Sequence, residues 1–165
     1  KPWDIANGPG VRVSLFVSGC THHCKDCFNP EAWDFDYGEP FTEAVMDHIL
    51  DLLRPDYIRG ITYLGGEPFD PHNQPGLLAL TQKIRAAYPE KSIWSFTGYV
   101  YGQNLPQLPG VTDALLAGLD VLVDGPFIAA RKNLGLRFRG SDNQRLIDLP
   151  KTLKTGAVVL WDETQ

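Results

Sequence analysis

Residues 11–27 read VRVSLFVSGCTHHCKDC, a β-branched apolar run followed directly by all three cysteines of the chain. The run Val11–Val17 predicts a β-strand that ends at Ser18-Gly19, so the cysteines lie in the loop after that strand. An odd number of cysteines cannot pair off into disulfides, and their confinement to one loop is typical of a metal or iron–sulfur site.

The cysteines Cys20, Cys24 and Cys27 supply three thiolates at one point. Three thiolates that hold a four-iron cubane leave one iron free to bind a ligand other than protein, which makes such a site reactive. The alternative is a structural zinc site with His22 or His23 as the fourth ligand, in a non-catalytic zinc or electron-transfer protein. Structural zinc sites usually join two separated ligand pairs, and the sequence offers no second pair, which favours iron–sulfur.

Strand-like and helix-like segments alternate along the rest of the chain. Helical spacing and end signals predict helices from Thr42 to Leu53, from Gln74 to Tyr88 and over residues 113–116. Short apolar runs predict strands at residues 61–64, 92–97 and 119–123, and edge strands at 136–139 and 158–161. This alternation predicts an α/β fold of parallel βα units. Because a closed eight-stranded barrel needs about 250 residues, we expect a partial, open β/α barrel.

Each strand of the predicted parallel sheet ends in a polar or glycine-rich cluster. These clusters are Ser18-Gly19-Cys20, Gly65-Gly66-Glu67, Thr97-Gly98-Tyr99 and Asp124-Gly125. In parallel α/β architectures, ligands bind at the carboxyl ends of the strands. Glycine at a strand end also serves an ordinary turn, but four such clusters together with the cysteines predict one ligand site.

The Cys-x3-Cys-x2-Cys spacing directly after the first strand resembles the signature of the radical S-adenosylmethionine enzymes. The resemblance implies a [4Fe–4S] cluster held by Cys20, Cys24 and Cys27, with S-adenosylmethionine chelating the fourth iron. It also implies reductive cleavage of S-adenosylmethionine to a 5′-deoxyadenosyl radical, with no protein side chain as acid or base. Gly65-Gly66-Glu67 matches the family's Gly-Gly-Glu motif, which implies that a backbone carbonyl and the Glu67 carboxylate accept hydrogen bonds from the ammonium of the cofactor.

A narrower resemblance covers most of the chain. Residues 7–10, 15–20 and 27–29 resemble the activators of glycyl-radical enzymes, in the branch that acts on anaerobic ribonucleotide reductase. Residues 121–125 and 139–145 fit that branch as well. The resemblance implies hydrogen abstraction from a backbone glycine of a large partner, with a low-potential electron donor such as flavodoxin or ferredoxin. The alternative is an activase of a different glycyl-radical enzyme.

The resemblance also implies contacts for individual side chains. Contacts to the cofactor are implied for Asn29, Thr97 and Asp124, in addition to Gly65, Gly66 and Glu67. The position before the third cysteine, often aromatic across the superfamily, is Asp26, so the contact to adenine is expected from the backbone there and from Phe28. Contacts to the partner protein or the ligand are implied for Arg139, Asn143 and Arg145. Capping and turn hydrogen bonds are the alternative role of the polar residues among them.

Size and composition set limits on what the chain can be. With 165 residues, of which 43% are hydrophobic, we expect a single domain over residues 1–165 with a packed core. The net charge is −5 and no Lys/Arg-rich run occurs, which argues against a basic patch for nucleic acid. No apolar stretch approaches the roughly 20 residues that span a bilayer, and the N-terminus has no signal-peptide core. We therefore expect no membrane contact and a location in the reducing cytoplasm.

Overall fold

The computed structural model describes residues 3–18 and 41–163, which form one five-stranded sheet with helices between its strands. The strands are β1 (Val11–Val17), β2 (Ile58–Gly65), β3 (Ser92–Phe96), β4 (Val121–Asp124) and β5 (Arg145–Asp148). The helices are α1 (Glu43–Leu53), α2 (Gln74–Ala87), α3 (Thr112–Ala117) and α4 (Leu149–Thr155). Two short 3-10 turns, Leu105–Gln107 and Ala129–Arg131, lie in the connections.

The strands lie in chain order across the sheet, from β1 at one edge to β5 at the other. β1, β2, β3 and β4 pair in parallel, and β5 pairs with β4 in the antiparallel sense. The predicted α/β fold with parallel strands is therefore confirmed. In the described part of the chain the sheet is open, because its two outer strands do not pair with each other.

The helices form a single layer. α1 packs against α2, α2 against α3, and α3 against α4. Right-handed crossovers between strands that follow one another in the same direction place every helix on the same face of the sheet. The main core lies between this layer and the sheet, and includes Ile49, Leu53, Leu80, Ile84 and Ile93, each at most 5% exposed.

Helices α1 and α2 begin and end within one residue of the predicted positions. The Thr42 hydroxyl accepts a hydrogen bond from Val45 N at 3.3 Å and so caps α1. Pro75 lies in the first turn of α2, where the missing N–H would have no intrahelical partner. Burial of one apolar stripe then holds each helix against the sheet.

The longest helix in the described ranges is α2, with 14 residues. Within these ranges, no helix has both the length and the apolar character that crossing a membrane requires.

The opposite face of the sheet carries a second, smaller core. Trp94 is 1% exposed and packs edge-on against Phe138 and Trp161, with ring centroids 5.4 and 4.9 Å away. Phe138 has a φ of 59°, a left-handed conformation that is rare for a bulky side chain. The aromatic contacts offset that backbone strain and hold Phe138 under the sheet.

A buried arginine occupies the amino end of this second face. Arg12 is 1% exposed, and all three of its guanidinium nitrogens donate hydrogen bonds. The acceptors are Thr62 Oγ1, Ser92 Oγ and the carbonyl oxygens of Pro9, Ile61 and Ser92, at 2.7–3.3 Å. Burial lowers the pKa of Arg12 to about 10, so the side chain stays protonated at neutral pH. Arg12 thereby joins β1 to β2 and β3 at the end of the sheet opposite Ser18.

The C-terminal part of the chain departs from the prediction. The edge strand expected at residues 136–139 is wrong, because Phe138 turns inward there and the backbone forms bends. The strand expected at residues 158–161 is also wrong, since only Leu160 makes a bridge, to Ile147. Strand β5 and helix α4 were not expected from the sequence. β5 has only two apolar residues, Leu146 and Ile147, between Arg145 and Asp148, so it carries no apolar run that would indicate a strand.

Candidate functional site

Four strand ends meet at one edge of the sheet. Gly66 N donates to Val17 O at 2.7 Å, which joins the ends of β1 and β2. Thr97 N donates to Val123 O at 2.9 Å, which joins the end of β3 to β4. The Thr97 hydroxyl donates to Glu67 Oε2 at 2.8 Å. The described residues of the polar clusters predicted after these four strands therefore lie side by side.

Gly65 allows the backbones of β1 and β2 to approach each other closely at this edge. Its φ is +106°, a conformation that residues with a side chain rarely adopt. A Cβ atom on Gly65 would lie 2.6 Å from Val17 O, inside van der Waals contact. The first glycine of the Gly65-Gly66 pair is thus required by backbone geometry, directly beside the start of the cysteine segment.

The Glu67 carboxylate is buried and bound by protein donors. Glu67 is 0% exposed. Its Oε2 accepts from Phe69 N at 2.9 Å and from Thr97 Oγ1 at 2.8 Å, and its Oε1 accepts from Gly98 N at 2.6 Å. These charge-assisted hydrogen bonds replace the hydration that the carboxylate loses on burial. Glu67 therefore holds the turn after β2 against the end of β3.

Asn73 links the same turn to the start of the cysteine segment. Its Nδ2 donates to Ser18 O at 3.0 Å and to Glu67 O at 2.8 Å. Ser18 is the last described residue before the segment that carries Cys20. The sequence analysis missed this role, because an asparagine at the start of a helix ordinarily indicates a cap. Only the tertiary structure brings it beside Ser18.

Asp124 and Arg145, to which the sequence analysis gave separate ligands, bind each other. Asp124 is 1% exposed, and its Oδ1 and Oδ2 accept from Arg145 Nε at 3.0 Å and Nη2 at 2.5 Å. Asp124 Oδ2 also accepts from Tyr101 N at 2.9 Å. The hydrogen bonds to Asp124 raise the pKa of Arg145. This bidentate pair joins β4 to β5 at the edge where the other strand ends meet.

Arg139 and Asn143 lie in the connection between β4 and β5. Asn143 Nδ2 donates to Pro126 O at 2.9 Å, which places the side chain just beyond the end of β4. Arg139 Nη1 donates to Glu163 Oε1 at 3.3 Å. Asn143 Oδ1 and Arg139 Nε are buried and have no hydrogen-bond partner among the residues that the structure describes. Buried polar atoms of this kind mark places where a ligand, a water or a partner completes the bonding.

The predicted metal ligands and three of the predicted cofactor contacts lie outside the described residues. They are Cys20, Cys24 and Cys27, and Asp26, Phe28 and Asn29. The residues on either side of their segment are described. Ser18 is bound by Asn73, and Phe41 packs on α2, where a Cβ on Gly76 would lie 2.7 Å from its ring. Both ends of the segment are therefore beside the turn and the helix that follow β2.

The described residues contain no cluster of potential metal ligands. Within residues 3–18 and 41–163, no three His, Cys, Asp or Glu side chains gather in a way that could hold a metal ion. The candidate site is therefore the edge where the strand ends meet, together with the cysteine segment that leaves and returns beside it.

Known proteins match this chain over most of its length. The family model described as a 4Fe-4S single cluster domain matches residues 6–147. The chain is 44% identical over 145 residues to the anaerobic ribonucleoside-triphosphate reductase-activating protein of Escherichia coli strain K12, covering 87% of this chain and 92% of the relative. The proteins of the same name from Vibrio cholerae and from Enterobacteria phage T4 are 43% and 40% identical, over 87% and 88% of this chain and 91% and 88% of the relatives.

These matches decide between the alternatives that the cysteines left open. The family model is an iron–sulfur model, which confirms the iron–sulfur prediction over the zinc alternative. Identities of 40–44% over nearly the whole of each relative also confirm the narrower resemblance. The chain belongs to the family of the anaerobic ribonucleoside-triphosphate reductase-activating proteins and contains their 4Fe-4S single cluster domain.

Proposed function

We propose that the chain is an iron–sulfur enzyme that cleaves S-adenosylmethionine reductively and generates a glycyl radical on anaerobic ribonucleotide reductase. The observation that carries the proposal is the position of the cysteine segment. Of the described residues that flank it, Ser18 is bound by Asn73 beside Glu67, at the edge where four strand ends meet, and Phe41 packs on the first turn of α2. The names of the relatives support the reductase as the partner.

The residues present fit both groups that this function requires. Cys20, Cys24 and Cys27 are soft ligands, and three of them leave one iron of a four-iron cluster for a ligand from outside the protein. At the end of β4, Asn143 Oδ1 is a buried acceptor without a donor in the described part of the chain. A hydroxyl or amine of S-adenosylmethionine is a donor of the kind that this atom lacks.

The protein residues hold and orient these groups. When bound, the cluster and S-adenosylmethionine together supply a one-electron cleavage of a carbon–sulfur bond and a radical that takes hydrogen from an unactivated carbon. Among the cofactor contacts we include Asp26, Phe28 and Asn29, with the backbone of Gly65 and Gly66.

Three further residues predicted to contact the cofactor are held by protein partners. Glu67, Thr97 and Asp124 are each at most 4% exposed, and their side chains bind neighbouring donors. We propose that they act by fixing the backbone that lines the cofactor site. Their side chains then set the spacing of the strand ends rather than contacting the cofactor themselves.

We also propose that residues 1–165 form a single radical S-adenosylmethionine domain, a partial and open β/α barrel. The sequential strand order and the single helical layer support that architecture. The potentials of such clusters extend to about −700 mV, so a low-potential donor such as flavodoxin or ferredoxin is required. A reducing cytoplasm suits both the cluster and this donor.

Anaerobic reconstitution with iron and sulfide tests the proposed function. We expect about four irons per chain and 5′-deoxyadenosine on reduction in the presence of S-adenosylmethionine. Incubation with anaerobic ribonucleotide reductase should then produce a glycyl radical visible by electron paramagnetic resonance. Stoichiometric zinc without cleavage would contradict the enzyme. If S-adenosylmethionine is cleaved but the radical forms only on another glycyl-radical protein, that protein is the partner instead of the reductase.

Asn73→Asp is expected to weaken cofactor binding without unfolding the protein. Aspartate keeps the shape of the side chain but replaces the donor with an acceptor that faces Ser18 O and Glu67 O. Losing these two hydrogen bonds lowers the free energy of unfolding by about 1–2 kcal/mol. Because the start of the cysteine segment shifts, the KM for S-adenosylmethionine should rise by roughly fivefold or more.

The same substitution at Asn104 is a matched control for Asn73. Asn104 is exposed, and its Oδ1 accepts from Val100 N at 2.6 Å, a bond that aspartate retains. Steady-state kinetics and the change in the cluster's electron paramagnetic resonance signal on adding S-adenosylmethionine should be altered in Asn73→Asp only. Equal behaviour of the two variants would show that Asn73 does not position the cysteine segment.

A further inference from the structure

Residues 125–144 form the β4–β5 loop, where positive charge is concentrated on an otherwise acidic protein. Residues 129–145 hold five Arg or Lys and one Asp, a formal charge of +4 in a chain whose total is −5. The cations are Arg131, Lys132, Arg137, Arg139 and Arg145. Three of them pair with carboxylates of this chain, Arg131 with Asp142, Arg139 with Glu163 and Arg145 with Asp124. Apart from the adjacent Arg131 and Lys132, the cations are separated from one another by other residues, so the sequence shows no basic run. The remainder of the chain is correspondingly more negative.

The β4–β5 loop leaves and rejoins the sheet at the candidate site. It begins at Gly125, directly after β4, and it ends before Arg145, the first residue of β5. The two arms of the loop run antiparallel, with a bridge between Lys132 and Ser141. A molecule that reaches the strand ends from this side therefore passes along the loop.

The tip of the β4–β5 loop is anchored on one side and exposed on the other. Phe138 lies in the aromatic cluster with Trp94 and Trp161, so the tip has a defined position. Leu134, four residues earlier, is 88% exposed. An anchored loop that presents a leucine among cations combines apolar contact with charge, as protein-binding surfaces do.

A cavity of about 210 Å³ lies at the base of the loop, against β5 and the C-terminal residues. Its walls include the cations Arg139 and Arg145, the carboxylates Asp142 and Glu163, and the apolar side chains Leu160 and Trp161. Glu163 already accepts from Arg139 Nη1. Leu160 is 62% exposed. Arg139 Nε is buried without an acceptor among the residues described. The cavity thus offers a charged donor beside an apolar wall.

We propose that the β4–β5 loop and this cavity dock the reductase, and that they bind an acidic segment of it with a neighbouring apolar side chain. The proposal rests on the proposed function. A carboxylate in the cavity accepts from Arg139, and the apolar neighbour packs against Leu160 or Leu134. A nucleic acid would bring many phosphates against the negative remainder of the chain, which favours a protein segment over a polyanion.

A triple variant on the exposed part of the loop tests the docking surface. In Arg131→Glu/Lys132→Glu/Leu134→Asp, the KM for the reductase should rise by at least about tenfold, because both charge attraction and apolar contact are lost. The kcat should stay within about twofold, and so should cleavage of S-adenosylmethionine without the reductase. Arg139→Gln alone should also raise the KM for the reductase, by about fivefold.

Helix α4 provides a control variant in which, as in the loop variant, two cationic side chains become glutamate and one leucine becomes aspartate. Lys151→Glu/Leu153→Asp/Lys154→Glu reverses two exposed lysines and places a charge on a leucine that is 45% exposed, on the helical layer. We expect its KM for the reductase to stay within about twofold of the unmodified protein. An unchanged KM in the loop variant, or an equal rise in the α4 variant, would overturn the docking surface.

Salt dependence and DNA binding distinguish a protein-docking loop from a nucleic-acid surface. Raising the salt concentration should increase the KM of the unmodified protein more than that of the loop triple variant. If a 30-base-pair DNA duplex bound the loop and the triple variant lost only DNA binding, the loop would be a nucleic-acid surface and the docking proposal would fail. If the unmodified chain forms no radical on the reductase, the proposed function itself fails. If the unmodified chain forms the radical and the loop triple variant has the same KM for the reductase, only the docking surface is refuted.

Discussion

Alanine in place of Cys20, Cys24 or Cys27 is expected to abolish cleavage of S-adenosylmethionine and radical formation on the reductase. A four-iron cluster needs all three thiolates, and the chain has no other cysteine to replace a lost ligand. We expect less than about one iron per chain after reconstitution, and activity lower by at least about 10³-fold. Iron analysis, the visible absorption of the cluster and the yield of 5′-deoxyadenosine measure these effects.

The histidines between the cysteines supply the control for this experiment. His22→Ala/His23→Ala should keep about four irons and most of the activity, because neither histidine is a ligand of an iron–sulfur cluster with three thiolates. In the zinc alternative the double variant would lose its metal. A cysteine variant that retained iron and full activity would refute the assigned ligands.

Glu67→Ala is expected to destabilise the protein more than any other single change at the strand ends. The substitution leaves Phe69 N, Thr97 Oγ1 and Gly98 N without their acceptor in a site that is 0% exposed. Each buried donor left unpaired costs about 1–3 kcal/mol, partly offset because a buried charge is also removed. We expect the free energy of unfolding to fall by about 3–5 kcal/mol, measured by urea denaturation of the protein without cluster.

Glu67→Gln distinguishes the structural role of Glu67 from direct contact with the cofactor. Glutamine keeps the size of the side chain but places an amide donor against donors, so a positioning role predicts losses in both stability and affinity for S-adenosylmethionine. Direct binding of the cofactor's ammonium predicts a loss of affinity that is large relative to the loss of stability, because the cofactor would lose a charged acceptor of its own. If stability and affinity both matched the unmodified protein, Glu67 would have neither role.

The parts of the fold that the sequence predicted are those with a local signal. Strand β1 and helices α1 and α2 each carry a regular pattern of apolar residues that extends over seven residues or more. The Thr42 cap and the prolines mark the ends of the helices. β5 lacked such a signal because it has four residues and depends on pairing with β4. Residues 136–139 looked like a strand from composition, but contacts of Phe138 with the distant Trp94 decided their path.

The candidate site was likewise predictable only in part: its chemistry follows from the sequence, but the pairing of its side chains does not. The sequence by itself determined the chemistry, since three clustered thiolates and the glycine pair after β2 indicate an iron–sulfur site with an outside ligand. Only the tertiary structure decided which polar side chains serve one another. Glu67 meets Thr97, and Asp124 meets Arg145, across distances of 30 and 21 residues in the chain. Such pairs form because neighbouring strands bring their ends together, and no local pattern of residues records which strands are neighbours.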